Sequence, residues 1–424
     1  MLKLLTLSTL FCLFCLPTAD AKDWPQWRGP NRNGKIEGTG LLLDWTQKKP
    51  QHLWTIEGMG KGYASVSIEN GKLYTTGNID EGQAVICVDI NSHKRIWATP
   101  LTGEAPKHGY PGSRCTPTLD GDLCYVVTSD GEIICLRTKD GEVVWRRGFK
   151  KEFGGKMMSG WGFSESPLVD GDWVLCTPGG NDAMLVALNK KTGKDVWRSS
   201  AANFGEAGRG GAGYSSIVIS EAAGVKQYVQ LVGKGVIGVR ASDGKLLWHY
   251  NKVANGTANI PTPITYGDYV FASTGYGTGA ALLKLERAGD GVNANEEYFL
   301  NAKVFQNHHG GMIKEGDYLY AGHQHNKGIP ICLHLPTGEV KWMANTRNKE
   351  PKMDGSAAIT KVDDRIIFRY QNGTIAIVAA TPEGFQMKGS FVPEYQEGKT
   401  WSHPVVVDGK LFLREQDKLM CYEL

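Results

Sequence analysis

The apolar residues of this chain fall in short runs bounded by turn-forming residues, and no long stretch shows a helical period. Runs such as Leu123-Cys124-Tyr125-Val126-Val127 and Ile133-Ile134-Cys135-Leu136 have strand length, with Gly-containing turns between them. They are in phase with a recurring phrase: DGEVVW ending at Trp145, TGKDVW at Trp197, DGKLLW at Trp248 and TGEVKW at Trp342, with a degenerate SHKRIW ending at Trp97. Each copy reads as a tight turn, a charged residue, two strand residues and a tryptophan. The tryptophans recur every 45–50 residues or so, or about twice that where a copy has decayed, a period that accommodates four short strands. About 30 residues ahead of each Trp lies a second repeat, a small residue followed by a β run and a turn, as in Thr116-Pro117-Thr118-Leu119-Asp120-Gly121 and Ser166-Pro167-Leu168-Val169-Asp170-Gly171.

Together these predict four-stranded antiparallel blades in which the small-residue run is the inner strand and the Trp strand is the fourth. Inner strands start near Ser65, Thr116, Ser166, Ser215, Thr262, Gly310, Gly355 and His403, which predicts an all-β, eight-bladed β-propeller. The last copy stops after its third strand at Leu419-Met420-Cys421-Tyr422, whereas Trp54 lies in an unassigned strand ahead of the first blade. The N-terminal strand is therefore predicted to complete the last blade, which removes two exposed sheet edges. Blades five and seven lack the tryptophan. Tyr298-Phe299 or Phe305, and Gly389-Ser390-Phe391, are the predicted carriers of the equivalent aromatic, and residues 287–295 read as a surface loop.

Composition adds to this picture in three places. The 54 glycines in 424 residues suit a chain of hairpins that needs many positive-φ positions. A length that ordinarily means about two or three domains is here taken up by one closed ring, predicted as a single domain over 22–424. Ahead of it, Met1-Leu2-Lys3, an apolar run over 4–16 and Ala19-Asp20-Ala21 read as a signal peptide (1–21) cleaved after Ala21. The run is too short for a membrane span, so the expected product is periplasmic or secreted and soluble. The formal charge of +3, with no dense basic run, argues against nucleic acid. Seven cysteines remain after the leader. Cys87, Cys135 and Cys332 each precede their Trp by ten residues, in a slot where other copies carry Ala187 or Gly238, which predicts buried thiols rather than disulfides.

The repeated DG-x-x-x-W phrase on a secreted eight-blade chain resembles the pyrroloquinoline-quinone-like (PQQ-like) repeat propellers. The N-terminal Asp23-Trp24-Pro25-Gln26-Trp27-Arg28-Gly29-Pro30, with WGFSESP over 161–167 and NIPTP over 259–263, is similar to an exported bacterial branch of that family. The resemblance covers nearly the whole mature chain. It implies the propeller fold and leaves function open, because the wider family contains both quinoprotein alcohol dehydrogenases and the scaffold lipoprotein of the outer-membrane β-barrel assembly machinery. The dehydrogenases hold their quinone against two adjacent cysteines and place Ca²⁺ through a carboxylate and an Asn, with an Asp as base. This chain has no adjacent Cys pair, no motif onto which those residues carry over and no Cys-x-x-Cys-His haem site.

In a propeller, the loops leading into the inner strands and the turns between second and third strands share one face, where ligands bind by default. Here they bring Tyr63, Arg114, Trp161, Tyr214, Asn259, His308, His309, Asp354 and Trp401, and from the turns Asn181, Asp182, Lys234, His323 and His325. Four of the ten histidines fall on the blade-six hairpin. Strand alternation sends His308 and His309 to opposite faces, so no metal is assigned, with His323 and His325 the residual candidates. Arg114 needs a partner: Asp354 or Glu165 within the chain or, failing those, an anionic ligand beside His309 and Trp401. The expected protein is a monomeric, non-catalytic binding or scaffold propeller for a small molecule, glycan or envelope protein. A PQQ- and Ca²⁺-dependent alcohol dehydrogenase is the alternative.

Overall fold

The computed structural model describes residues 23–41, 43–201, 204–345 and 350–424. The predicted signal peptide lies outside the described residues. Eight four-stranded antiparallel blades follow one another around a ring, each built from strands consecutive in the chain except the last, and Lys35–Ile36 adds a fifth, parallel strand to blade seven. Blade one comprises Ser67–Glu69, Lys72–Ile79, Gly82–Asp89 and Lys94–Pro100, and blades two to seven repeat the plan. Blade eight takes Val405–Val407, Lys410–Glu415 and Lys418–Glu423 from the C-terminus and Gln51–Ile56 from the N-terminus. The pairings Gln51↔Glu423, Trp54↔Cys421 and Ile56↔Leu419 close the ring. Among the described residues, no helix is long and apolar enough to cross a membrane.

The recurring phrase is a docking device between neighbouring blades. Trp97, Trp145, Trp197 and Trp342 each donate their indole N–H to a backbone carbonyl of the following blade, at 2.8–3.2 Å. Under Trp97, Trp145 and Trp197 lies the phrase glycine of the following blade. Gly141, Gly193 and Gly244 have φ of +74°, +68° and +74°, and a Cβ on any of them would come within 2.4–2.7 Å of the preceding blade's Trp97–Thr99 pair, Trp145 or Trp197. Glycine is required twice over here, by backbone conformation and by the ring stacked on it. The degenerate phrase obeys the same rule at the closure: His93 takes the glycine slot at φ 59° and stacks against Trp54 at 4.6 Å. On the other side of each Trp lies the small slot. Trp97 pairs with Cys87, Trp145 with Cys135, Trp248 with Gly238 and Trp342 with Cys332. A Cβ on Gly238 would lie 2.2 Å from the Trp248 ring. The seven described cysteines are all buried and free.

Two expectations about the irregular blades change. In blade five, residues 287–295 are not a loop but the end of a long hairpin, Gly279–Ala288 against Gly291–Asn301, whose ladder continues to Ala288↔Gly291. Its docking aromatic is Tyr298, which pairs with Leu282 and donates its hydroxyl to Leu335 O at 2.5 Å. In blade seven, Gly389 sits in the break of the ladder, beside which the other blades carry Trp or, in blade five, Tyr298, and Phe391 pairs two residues further along, with Ile375. The aromatic comes from outside the blade. Trp45 lies against Gly389, takes Lys388 O with its backbone N–H, and packs edge-on to Phe391 at 5.4 Å.

The N-terminal segment fills the tunnel before it reaches Trp45. Trp24 bridges to Ile68 of blade one, and Pro25 O accepts Leu119 N–H of blade two. Arg32 donates to Ser166 O, Pro167 O and Ile217 O of blades three and four. Arg28 donates to Met312 O of blade six, and Lys35–Ile36 runs parallel to Lys361–Val362 of blade seven. Arg28 and Arg32 are 2% and 6% exposed. Both place guanidinium donors on backbone carbonyls rather than on carboxylates; Arg32 also reaches Gln26 Oε1, and Arg28 Nε is left without a partner.

Candidate functional site

In blades one to five a hydroxyl at the opening of the inner strand links neighbouring blades. Ser65 N–H donates to Thr116 Oγ1, Thr116 N–H to Ser166 Oγ, Ser166 N–H to Ser216 Oγ and Ser216 N–H to Thr262 Oγ1, all at 3.0–3.1 Å. This belt holds the approach loops in register around the mouth. Blade six departs from it: His308 Nδ1 lies 2.8 Å from Ser356 Oγ of blade seven, and its Nε2 lies 3.0 Å from the Tyr276 hydroxyl. Above the belt is a cavity of 410 Å³, with Trp27 of the tunnel segment among its lining residues. Trp27 meets His403 edge-on at 5.8 Å, and the Arg28 and Arg32 guanidinium carbons lie 5.5 and 5.7 Å from its ring centre.

Of the residues assigned to the mouth from sequence, Tyr63, Arg114, Trp161, Tyr214, His308, His309, His325 and Trp401 line this cavity. Asn259 does not. It is fully buried and ties its own loop together, accepting Asn255 N–H and donating to Val232 O and Gly233 O. Asp354 also stands away, paired with Lys352 at 3.4 Å, and His323 is buried behind the wall, where its Nδ1 accepts Gln306 N–H. Neither anticipated carboxylate pairs with Arg114. Glu165 is held by the Thr177 backbone N–H and hydroxyl instead. Arg114 donates to Gly109 O, Tyr110 O and Gly112 O, bracing that loop, and lies 5.5 Å over the Tyr63 ring. The braced loop carries Tyr110 at φ 56°, edge-on to Trp401 at 5.2 Å, with Lys399 Nζ 3.1 Å from its hydroxyl.

The histidines converge where alternation would separate them. The blade-six ladder breaks between Asn307 and Met312, with Gly310 at φ 109° and Gly311 at φ 79°. A strand interrupted in this way loses its two-residue side-chain period. The His308 and His309 rings are consequently 4.1 Å apart, and His308 and His325 also 4.1 Å apart. Burial holds them neutral: the His309 and His403 imidazoles are pushed down to about 3, and His308 is lowered by burial and then by its two imidazole neighbours. Among the described residues, no group of three or more His, Cys, Asp or Glu is placed to hold a metal ion.

Trp27, Tyr110, Tyr276, Gln371, Lys399 and His403 also line the cavity, and sequence reasoning did not single them out. Trp27 and Tyr110 lie outside the repeat, and Lys399 reads as an ordinary surface lysine. Among the described lining residues there are two permanent cations, Arg114 and Lys399, and no Asp or Glu. Calcium is held by oxygen ligands, carboxylates foremost. Without a lining carboxylate or an adjacent Cys pair, the cavity does not offer the contacts that a Ca²⁺-quinone pair requires.

Eight four-stranded blades closed by an N-terminal strand, with a ligand-sized cavity at one mouth, define an eight-bladed propeller of the PQQ-like kind. The profile of the family described as outer membrane protein assembly factor BamB matches residues 81–344, and the chain belongs to that family. BamB from Moraxella catarrhalis superposes with a TM-score of 0.60 at 13% identity, covering 88% of this chain and 98% of that one. A europium-containing methanol dehydrogenase gives 0.64 at 10% identity, covering 96% and 99%. The quinohemoprotein alcohol dehydrogenase ADHIIG from Pseudomonas putida HK5 gives 0.65 at 12% identity, covering 96% and 80%. At these identities the structural likeness concerns the fold alone. No curated protein sequence matches the chain.

Proposed function

We propose that this chain is an exported propeller that binds a small organic ligand at the ring mouth and performs no chemistry on it. The observation that carries the reading is the 410 Å³ cavity, walled by aromatic rings and closed below by the tunnel segment. Its volume lies within the range of about 300–1,000 Å³ usual for small-molecule sites. The side chains at its wall favour binding over catalysis. The sequence Tyr276–His308–Ser356 resembles a relay, but Ser356 is 3% exposed and lies behind the histidine, so its hydroxyl is not presented to a ligand. No carboxylate of the described lining is available as a base. The family's description as an assembly factor supports a scaffold role for the outer surface of the ring, which is compatible with an occupied mouth.

A thermal-shift screen of the purified mature chain against small organic compounds tests this reading. A ligand that raises the melting temperature, and fails to do so in a Trp161→Ala variant of unchanged fold, is the expected result. PQQ with Ca²⁺ and a primary alcohol is the decisive counter-arm: alcohol-dependent dye reduction would replace the binding reading with the dehydrogenase one.

A further inference from the structure

We propose that the ligand of the mouth cavity is an aromatic anion: one or two flat rings bearing a carboxylate or similar oxyanion. This rests on the binding reading above and specifies its chemistry.

Three observations point the same way. The first is the wall. Trp27, Tyr63, Trp161, Tyr214, Tyr276 and Trp401 face the cavity, and His308, His309 and His325 add three close-set imidazoles. Such rings stack on a flat π surface in offset or edge-on geometry. The second is charge. Lys399 has no carboxylate partner among the described residues, and its Nζ is held over the Tyr110 ring at 4.4 Å. Arg114 spends its described bonds on three carbonyls and so keeps its full positive charge. Beneath Trp27, Arg28 is buried with carbonyl partners only, and its Nε has none. Cations gathered around a cavity without carboxylates create a field that favours an anion. Through their shared contact with Tyr110, Arg114 and Lys399 lie on one side, and the His308–Tyr276 pair belongs to blades five and six across the ring. The anionic end of a ligand is thereby directed toward Tyr110.

The third observation weighs against a sugar. Each ring hydroxyl of a buried sugar needs a partner, and an unpaired one costs binding. Beside its rings, the wall offers amides at Gln371 and Asn326 and no carboxylate among the described residues; its hydroxyls at Ser65, Thr116, Ser164, Ser216 and Thr262 are already engaged with the belt or with backbone carbonyls, and Gln371 Oε1 accepts from Trp401. A flat aromatic ring makes no such demand on its faces. The cavity's 410 Å³ suits one or two rings rather than an extended chain.

Isothermal titration calorimetry of the mature chain with four probes tests the proposal: 2-naphthoate, 2-naphthamide, cyclohexanecarboxylate and glucuronate. Naphthoate is expected to bind about tenfold tighter than each of the others, the value of one charge-assisted contact or one good stacking surface. Its affinity should fall with added salt. Lys399→Met, at an exposed position that leaves the fold intact, should bring naphthoate down to the affinity of naphthamide and leave naphthamide unchanged. Equal binding of naphthamide and naphthoate overturns the anionic part. Equal binding of cyclohexanecarboxylate overturns the aromatic part, and a preference for glucuronate overturns both. In each of those cases the binding reading survives. If none of the four binds and the wider thermal-shift screen is also silent, the binding reading itself fails.

Discussion

At the residue scale, the buried imidazoles set the response of this protein to acid. His309 and His403 are held down at about 3 and His323 at about 4, with His308 lower still, in each case chiefly by burial. An unfolded histidine titrates near 6.5. As pH falls below that value the unfolded chain takes up protons that the folded one refuses. Each group's contribution is therefore full above pH 6.5 and is lost on the way down, by up to about 1.4 kcal/mol per pH unit. Lys399 beside His309, and Arg28 and Arg369 beside His403, push in the same direction. Glu165 opposes them. Burial raises its carboxyl to about 8, so between the ordinary carboxylate value and 8 the folded state holds a proton that the unfolded state releases. Burial also raises Glu69 and lowers His325, so the imidazoles still outnumber the raised carboxyls. Chemical denaturation between pH 6.5 and 5 should show stability falling with pH, and His323→Asn, which preserves an acceptor for Gln306 N–H, should flatten the slope. A stability independent of pH over that interval would contradict the burial of these rings.

At the element scale, the fold depends on a repeated joint rather than on a continuous core. Trp97, Trp145, Trp197 and Tyr298 each rest on the glycine of the next blade's turn. Trp197 is 8% exposed and Gly244 lies against its ring at φ +74°. Trp197→Ala should cost about 3–5 kcal/mol, as for other buried large aromatics. Gly244→Ala should cost about 2–4 kcal/mol, combining a left-handed backbone penalty with the clash against the indole. The two effects should not add. With Trp197 already removed, the clash disappears and only the backbone share of the glycine effect remains. A double-mutant cycle in urea measures this coupling, and strict additivity would mean that the joint does not carry the blade contact. The same joint explains Cys87, Cys135, Cys332 and Cys421, whose small side chains fit beneath the tryptophan where a larger residue would not.

At the scale of the whole molecule, residues 23–56 do three things at once. They pass through the tunnel with Arg28 and Arg32, supply Trp45 between blades seven and eight, and complete blade eight. Deleting residues 22–57 should therefore destabilise the ring severely or cause aggregation, because an unpaired outer strand and an open tunnel appear together. A truncated protein with the melting temperature of the full mature chain would sink this account of closure.

The division between what was legible in the sequence and what was not follows from range. The blade count, the four-strand plan, the Trp54 closure and the buried cysteine slot all come from patterns that repeat along the chain, because each blade meets the same local requirements of strand period, turn and joint. The positions that depart from repetition were not legible in this way. Trp45 replaces an aromatic missing from Gly389, more than 300 residues away. Arg28 reaches Met312 across a separation of 284 residues. Part of the wall of the cavity was visible in the approach loops and turns, from Tyr63 to Trp401. Trp27, Tyr110 and Lys399 were not, since nothing local distinguishes a residue that will face the mouth from one that will face solvent. By itself the sequence determined the repeat, and with it the propeller. The ring's closure in three dimensions decided which side chains meet at its centre and left cations there without carboxylates among the described lining residues, because contacts between distant blades exist only once the ring has formed.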